Sequence, residues 1–180
     1  MILRNVLIGL AGCLALSACA EPAKRENMQV AALTDPAGLN PALAGAVCVG
    51  EVKGGEETDP LLQSEVDDAG FRGALVASMR NQGLLAGSDD ACGYRVDANI
   101  LGVGQPIAGL DMTVTAYVNY TVIDRASGDP YLLATVTTPH TARFGEAFLG
   151  MDRLRMANEG AVRANIREFL TRLMAYEPEV

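Results

Sequence analysis

Hydrophobic spacing divides the chain into segments of different kinds. The compact apolar run at residues 44–52 predicts a first strand. Phe71, Leu75 and Met79 then recur every fourth residue, which predicts a helix that packs through one face. Gly83 supplies the stop of this helix. The first two elements are therefore a strand and a helix.

A period of two begins at Gly93 and continues for about fifty residues. Turn-forming residues interrupt it at 106–111 and 127–130, so it predicts three consecutive strands. Clean alternation is typical of a sheet with one covered face and one wetter face. The apolar, inward-facing set is Tyr94, Val96, Ala98, Ile100, Met112, Val114, Ala116, Val118, Tyr120, Val122, Leu132, Ala134 and Val136.

A second apolar stripe of helical spacing covers residues 151–176. Within it, Glu159 precedes Arg163 and Glu168 precedes Arg172 by four residues, the order that favours ion pairs on a helix. We therefore expect a long second helix with ion pairs on its exposed side.

The resulting order, β-α-β-β-β-α, predicts an α+β fold of two layers. A mostly antiparallel four-stranded sheet would be covered on one face by two helices. If the first helix is a right-handed crossover, the first strand lies parallel to another strand of the sheet.

Two local signals concern the first helix. Ser64 with Asp67 resembles a capping box that uses the shorter acid. Gly70 and Gly73 would each weaken the helix by about 1 kcal/mol relative to alanine. This loss predicts close packing of the helix against the sheet.

The amino-terminal residues have the features of an export signal. Arg4 precedes an apolar run at residues 6–16 that is too short to span a bilayer, and small residues follow. Residues 1–18 are therefore predicted to be a removable signal peptide. The sequence Leu16-Ser17-Ala18-Cys19 resembles the lipobox of bacterial lipoproteins. This resemblance implies diacylglycerol on the Cys19 sulfur, cleavage before Cys19 and acylation of the new amino terminus, typically with palmitate.

The same resemblance suggests a location. Ala20 follows the lipidated cysteine, and by the sorting rule of enteric bacteria the absence of aspartate there implies the periplasmic face of the outer membrane, with inner-membrane anchoring as the alternative. Residues 19–43 are predicted to be a lipidated tether, and residues 44–180 a single domain. We expect membrane attachment through the lipid anchor, because no second apolar span follows the signal.

The four cysteines can then be assigned. Cys13 would leave with the signal and Cys19 would carry lipid, which leaves Cys48 and Cys92 in an oxidising compartment. A disulfide between these two is predicted. It would contribute about 4 kcal/mol on a chain-entropy argument. A structural zinc site is not expected, because it requires four clustered ligands and the chain has one histidine.

Charge and catalytic signals exclude other classes. The net charge of −8 argues against general affinity for nucleic acid. His140 is the one candidate imidazole, and nearby hydroxyls make a Ser or Thr nucleophile conceivable, with a surface histidine as the alternative. The adjacent acids at 67–68 and 89–90 are interpreted as caps and solvated loops rather than calcium ligands. We predict no catalytic residue, metal or cofactor, and no enzyme activity.

Two surfaces are candidates for a partner. The wetter sheet face offers hydroxyl, amide and aromatic groups without strong charge, which suits a protein or a glycan. These residues are Thr113, Thr115, Tyr117 and Asn119. The alternative is that Thr and Tyr simply favour strands. Arg163 and Arg167 of the last helix could meet an anionic partner, with ordinary solvated charge as the alternative.

The lipobox and the element order are similar to those of small Gram-negative envelope lipoproteins: the lipopolysaccharide-assembly lipoprotein, lipoprotein activators of cell-wall synthases and the curli-secretion lipoprotein. Residues 50–58, 109–115 and 157–166 also resemble uncharacterised alphaproteobacterial lipoproteins. The leading hypothesis is a non-catalytic, lipid-anchored module that binds or scaffolds an envelope protein during outer-membrane or cell-wall assembly. The alternatives are a periplasmic lipid- or glycan-binding lipoprotein and a hydrolase that uses His140.

Overall fold

A computed structural model describes residues 20–33, 40–59, 64–106 and 109–177. The predicted signal peptide and Cys19 lie outside these residues. The elements in chain order are α1 (Arg25–Met28), β1 (Val47–Lys53), α2 (Asp68–Asn81), β2 (Tyr94–Gly104), β3 (Met112–Asp124), β4 (Pro130–Ala142) and α3 (Gly150–Met174). From β1 onward the order is β-α-β-β-β-α, so the predicted fold class is confirmed.

The four strands form one open sheet in the order β1-β2-β3-β4. β1 lies parallel to β2, with Val47 opposite Tyr94, whereas the other two pairings are antiparallel. β1, β2 and β4 therefore finish at the end of the sheet where β3 begins. Both long helices begin at this end, because α2 follows β1 and α3 follows β4. We call it the Phe148 end, after a residue in the connection between β4 and α3.

The predicted alternation places one face of the sheet in the core. Tyr120 in the middle of β3 is 1% exposed, and its ring stacks on Phe169 of α3 with centroids 3.8 Å apart. Phe71 of α2 lies 6.5 Å from the same ring. The aromatic residues thus join the sheet to both long helices, at the centre of the hydrophobic core.

Asn165 of α3 satisfies the polar groups of this core. Its Oδ1 accepts a hydrogen bond from the Tyr120 hydroxyl at 2.8 Å. Its Nδ2 donates to the carbonyl oxygens of Ala116 at 3.2 Å and Val136 at 3.0 Å. Burial raises the pKa of the Tyr120 phenol well above its ordinary value, so this hydroxyl remains a donor at neutral pH.

The start of α2 differs from the predicted capping box. Asp67 is the N-cap, and its Oδ1 accepts a hydrogen bond from the amide of Gly70 at 2.6 Å. Ser64 is buried and donates instead to the carbonyl of Glu21 at 2.7 Å. The helix therefore begins three residues later than the Ser64 signal implied, because this hydroxyl is used to hold the amino-terminal segment.

The predicted tether at residues 19–43 is wrong for its described part. Residues 20–33 lie along the helix layer, and α1 packs against both α2 and α3. The side chains of Met28, Val30 and Leu43 are completely buried. The amide of Val30 donates to the Ser78 hydroxyl at 2.8 Å. Because these apolar side chains complete the core, residues 20–33 are part of the folded domain.

The glycines of α2 face this segment rather than the sheet. A Cβ at Gly73 would collide with the aliphatic part of Arg25, and one at Gly70 would lie 3.4 Å from Cε of Met28. The prediction of close packing was correct, but the neighbour is α1. The missing side chains make room for residues that the sequence pattern had placed in a linker.

The predicted disulfide is confirmed. Cys48 in β1 is bonded to Cys92, which lies two residues before β2, and their Cα atoms are 5.6 Å apart. The bond joins the beginnings of two parallel neighbours across a sequence separation of 44 residues. It therefore closes the β1-α2-β2 unit at the end opposite the Phe148 end.

Candidate interaction surfaces

The four predicted sheet residues lie together on the open face of β3. Thr113, Thr115, Tyr117 and Asn119 alternate with buried residues, so their side chains point away from the helices. The β4 residues opposite them are Thr141, Pro139, Thr137 and Thr135, in that order. The open face is therefore a continuous strip of small polar groups across two strands, with the ring of Tyr117 at its centre.

Cross-strand hydrogen bonds organise this strip. The hydroxyl oxygens of Thr113 and Thr141 lie 2.8 Å apart, and the Thr135 hydroxyl donates to Oδ1 of Asn119 at 2.8 Å. Tyr117 is 41% exposed between these two pairs. The strip therefore presents an aromatic ring among ordered polar groups, a composition found in protein interfaces.

A polar groove continues the open face toward β1. Its volume is about 320 Å³, and its lining is Glu51, Lys53, Asp97, Ala98, Asn99, Asn119 and Thr121. Asp97 accepts hydrogen bonds from the Glu51 amide and the Arg95 guanidinium, both at 2.9 Å. The groove thus combines a fixed carboxylate with two side-chain amides, groups that can hydrogen-bond a polar ligand.

The structure separates the arginines from the sheet strip. Arg163 and Arg167 lie on α3, in the layer on the opposite side of the sheet. Nη1 of Arg163 donates to the carbonyl of Asn27 at 2.8 Å, whereas Arg167 is exposed. The two predicted surfaces therefore cannot form one contiguous site, and Arg163 is engaged in holding the amino-terminal segment.

Glu159 is not paired with Arg163, contrary to the prediction. It is only 3% exposed, and its carboxylate accepts hydrogen bonds from the Lys24 amide at 2.9 Å and the Asn27 side chain at 2.8 Å. Nη1 of Arg155 lies 3.2 Å from the same carboxylate. The other predicted pair, Glu168 with Arg172, is present at 2.8 Å.

Arg155 links this buried carboxylate to the surface. Burial opposes the charge on Arg155, but the neighbouring carboxylates of Glu159 and Asp152 outweigh it, so the pKa of the guanidinium is raised. Its Nε also lies 4.0 Å from Glu21. The cluster fixes residues 21–27 on α3, a role that the sequence signals did not reveal. The one available signal was Met28 and Val30, apolar residues in a segment interpreted as a tether.

His140 is half-buried between β4 and α3. It lies on the helix-facing side of β4, against Gly160 of α3, where a Cβ would collide with its ring. Its imidazole makes no hydrogen bond or ion pair within the part of the chain that the structure describes. The hydrolase hypothesis required a hydroxyl or carboxylate partner, so nothing in the described structure supports it.

The described residues form neither a candidate metal centre nor a membrane-spanning helix. In the ranges given above, no three His, Cys, Asp or Glu side chains form a group that could hold a metal ion. Within the same ranges, no helix combines the length and apolar character needed to cross a bilayer.

Comparisons with known proteins found similarity in the fold only. No family model matches the chain, and no curated protein matches it. The chain is similar in structure to a Xanthomonas campestris protein of the DUF330 family, at 12% identity, over 76% of this chain and 89% of that one, with a TM-score of 0.54. A candidate lipoprotein from Caulobacter crescentus is similar at 13% identity, over 78% and 96%, with a TM-score of 0.51.

A variant of PelC from Paraburkholderia phytofirmans, solved as a dodecamer, is similar at 16% identity, over 74% of this chain and 91% of that one, with a TM-score of 0.52. At identities this low, the structural similarity establishes the shared architecture alone. This chain thus has an α+β fold, an open mixed sheet of four strands with helices packed on it, that it shares with these three bacterial proteins, one of which is described as a candidate lipoprotein.

Proposed function

We propose that the chain is a non-catalytic, lipid-anchored envelope protein of a Gram-negative bacterium that binds a protein partner through the open face of its sheet. The open strip on β3 and β4 is the observation that carries this proposal. The lipobox at Cys19 and the candidate Caulobacter lipoprotein that shares the fold support the anchor, and Ala20 favours the outer membrane.

The physical argument for a protein partner rests on the composition of the strip. Its polar side chains already hydrogen-bond one another, so covering them would leave few unpaired donors. Tyr117 and Leu133 add apolar area on the same face. An ordered surface with an aromatic centre can be buried by a partner at a small entropic cost.

Photo-crosslinking in living cells tests this proposal. A photoreactive amino acid would replace Tyr117 on the open face, Arg167 on the exposed side of α3, or Arg80 on α2 as the matched exposed control. We expect a discrete cross-linked protein from position 117 and none from position 80. A product from 167 alone would transfer the partner site to the helix layer, and no product from either would refute the scaffolding role.

The groove beside the strip favours glycan binding as a second function. Asp97, Asn99 and Asn119 offer carboxylate and amide groups of the kind that bind sugar hydroxyls. Titration of the protein with soluble cell-wall glycan fragments, followed by amide chemical shifts, would detect it. Shifts confined to the groove would support glycan binding, and a loss of the shifts in Asn99→Ala would confirm the position. A lipid-binding cavity between helices and sheet has less support, because side chains such as Phe71 and Ile166 fill that space.

A further inference from the structure

Four of the seven large hydrophobic residues that are exposed in the described part of the chain lie at the Phe148 end. They are Leu110, Phe144, Phe148 and Leu149. Phe148 is 96% exposed and Leu110 is 70% exposed. Single exposed apolar residues are ordinary, but a cluster with two phenylalanines at one end of a domain indicates a surface that is covered in use.

The connection that carries these rings is well ordered by its contacts. Nη1 of Arg153 donates to the carbonyls of Ala147 at 2.7 Å and Phe148 at 3.1 Å, and its guanidinium lies 5.0 Å from the centre of the Phe144 ring. The amide of Phe144 donates to Asp111 of the facing connection at 2.9 Å. The backbone that carries the exposed rings is therefore held by the fold, so docking costs little further backbone freedom.

Ala20 also lies at the Phe148 end. Ala20 is only 6% exposed, and the Ser64 hydroxyl holds the next carbonyl, that of Glu21. Glu21 lies 4.0 Å from Arg155, which is six residues, or about 9 Å along the helix axis, beyond Leu149. Cys19 precedes Ala20 by one peptide bond, about 3.8 Å between Cα atoms. A lipid on Cys19 would thus hold this end against its membrane with no spacer.

We propose that the Phe148 end docks on the lipid surface that anchors Cys19, with Phe144, Phe148 and Leu149 entering the interfacial layer. This inference rests on the lipid anchor of the proposed function. Docking would be intramolecular, so the short connection gives the rings a high effective concentration at the membrane. Phenylalanine and leucine are residues that anchor peripheral proteins at the boundary of headgroups and acyl chains.

The charges at this end restrict how the domain can tilt. Glu57, Asp67 and Asp68 border an open cleft beside Ala20 and Pro22, on the flank formed by β1 and α2. The phenylalanines lie on the other flank, where the positive charges of Arg143 and Arg153 are balanced by Asp111 and Glu146. The apolar flank therefore faces the lipid, while the acidic flank remains in water. Docking of this kind also leaves the open face of the sheet accessible to a partner.

Tryptophan fluorescence tests the docking, because the natural chain has no tryptophan. The full chain, processed in a Gram-negative host, would carry Phe148→Trp or, as the matched control, Leu133→Trp on the open sheet face near the opposite end. Each variant would be reconstituted into phosphatidylcholine vesicles with and without bromine on the acyl chains. Both changes are at exposed positions, so both variants should fold.

We expect bromine to reduce the emission of Phe148→Trp about twofold, because interfacial apolar groups are buried about 5–10 Å into the boundary of headgroups and acyl chains, and to leave Leu133→Trp unchanged. Equal emission of Phe148→Trp in both vesicles, with the protein still bound to them, would overturn the docking and leave the anchor intact. A blue-shifted but unquenched emission would mean that a second copy or another protein covers this end, which also overturns it. Failure of the protein to float with the vesicles would overturn the anchor, and this inference with it.

Discussion

Tyr117 and Tyr120 lie three residues apart in β3 and belong to opposite faces of one sheet. Tyr120 is buried, stacked on Phe169 and hydrogen-bonded to Asn165, whereas Tyr117 lies among the threonines of the open strip. The same side-chain chemistry therefore stabilises the core on one face and remains available to a partner on the other. If the open face binds a partner as proposed, folding and binding can be disturbed separately, since alternate residues of one strand lie on the two faces.

The largest expected contrast between the two faces comes from removing an aromatic ring. Phe169→Ala should reduce the free energy of unfolding by about 3–5 kcal/mol, because it leaves a cavity beside Tyr120. Tyr117→Ala on the open face should reduce it by less than about 1 kcal/mol. Urea unfolding followed by circular dichroism measures both changes. Equal losses would show that the open face is also part of the core.

The next contrast concerns the amino-terminal segment, which belongs to the covered side. Met28→Ala should reduce the free energy of unfolding by about 2–4 kcal/mol, because the side chain is completely buried. Glu26→Ala, an exposed residue of the same short helix, is the control and should change it by less than about 0.5 kcal/mol. If Met28→Ala unfolds like the natural protein, residues 20–33 behave as a tether after all.

Asn165 should stabilise the fold through its hydrogen bonds to the Tyr120 hydroxyl and to the carbonyls of Ala116 and Val136. Asn165→Ala leaves the buried Tyr120 hydroxyl without its acceptor and removes the bonds to two carbonyls, and we expect a loss of about 2 kcal/mol in the free energy of unfolding. With Tyr120→Phe already in place, the same change should cost less, because the orphaned hydroxyl is absent. A double-mutant cycle in urea measures this coupling, and strict additivity would contradict the hydrogen bond as its cause.

Alkaline pH should weaken the covered face specifically. The pKa of Tyr120 is raised in the folded state, so its contribution is complete below the pKa of an unfolded tyrosine, about 10, and is lost above it. Between pH 8 and pH 11 the natural protein should lose about 1 kcal/mol of stability through this group. Tyr120→Phe should lose that much less over the same interval. Parallel pH profiles for the two proteins would contradict this assignment.

The smallest effect on folding is expected from the open strip. Asn119→Ala removes an exposed hydrogen bond to Thr135 and should change the free energy of unfolding by less than about 0.5 kcal/mol. It should nevertheless weaken cross-linking from position 117, if the strip binds a partner as proposed. A large loss of stability with unchanged cross-linking would mean that the open face serves folding rather than binding.

The packing of the amino-terminal segment could not be predicted from the sequence. Its short helix has four residues, and Met28 and Val30 are too few to establish a period, so composition predicted a linker. The contacts that bury it span the whole chain: Lys24 bonds to Glu159, 135 positions away. The same distant contacts explain why Glu159 could not be assigned correctly from its spacing to Arg163. The glycines of α2 signalled a close neighbour, but nothing local identified it.

By itself, the sequence determined the strands, the two long helices, the inward and outward residues of the sheet and the disulfide. These features follow from local periodicity and from cysteine arithmetic, which need no knowledge of distant contacts. Only the tertiary structure decided that residues 20–33 belong to the folded domain, that Arg163 lies apart from the threonine strip and that the exposed phenylalanines share an end with Ala20. Those relations join residues from opposite ends of the chain, and burial and long-range hydrogen bonds, rather than any local pattern, bring them together.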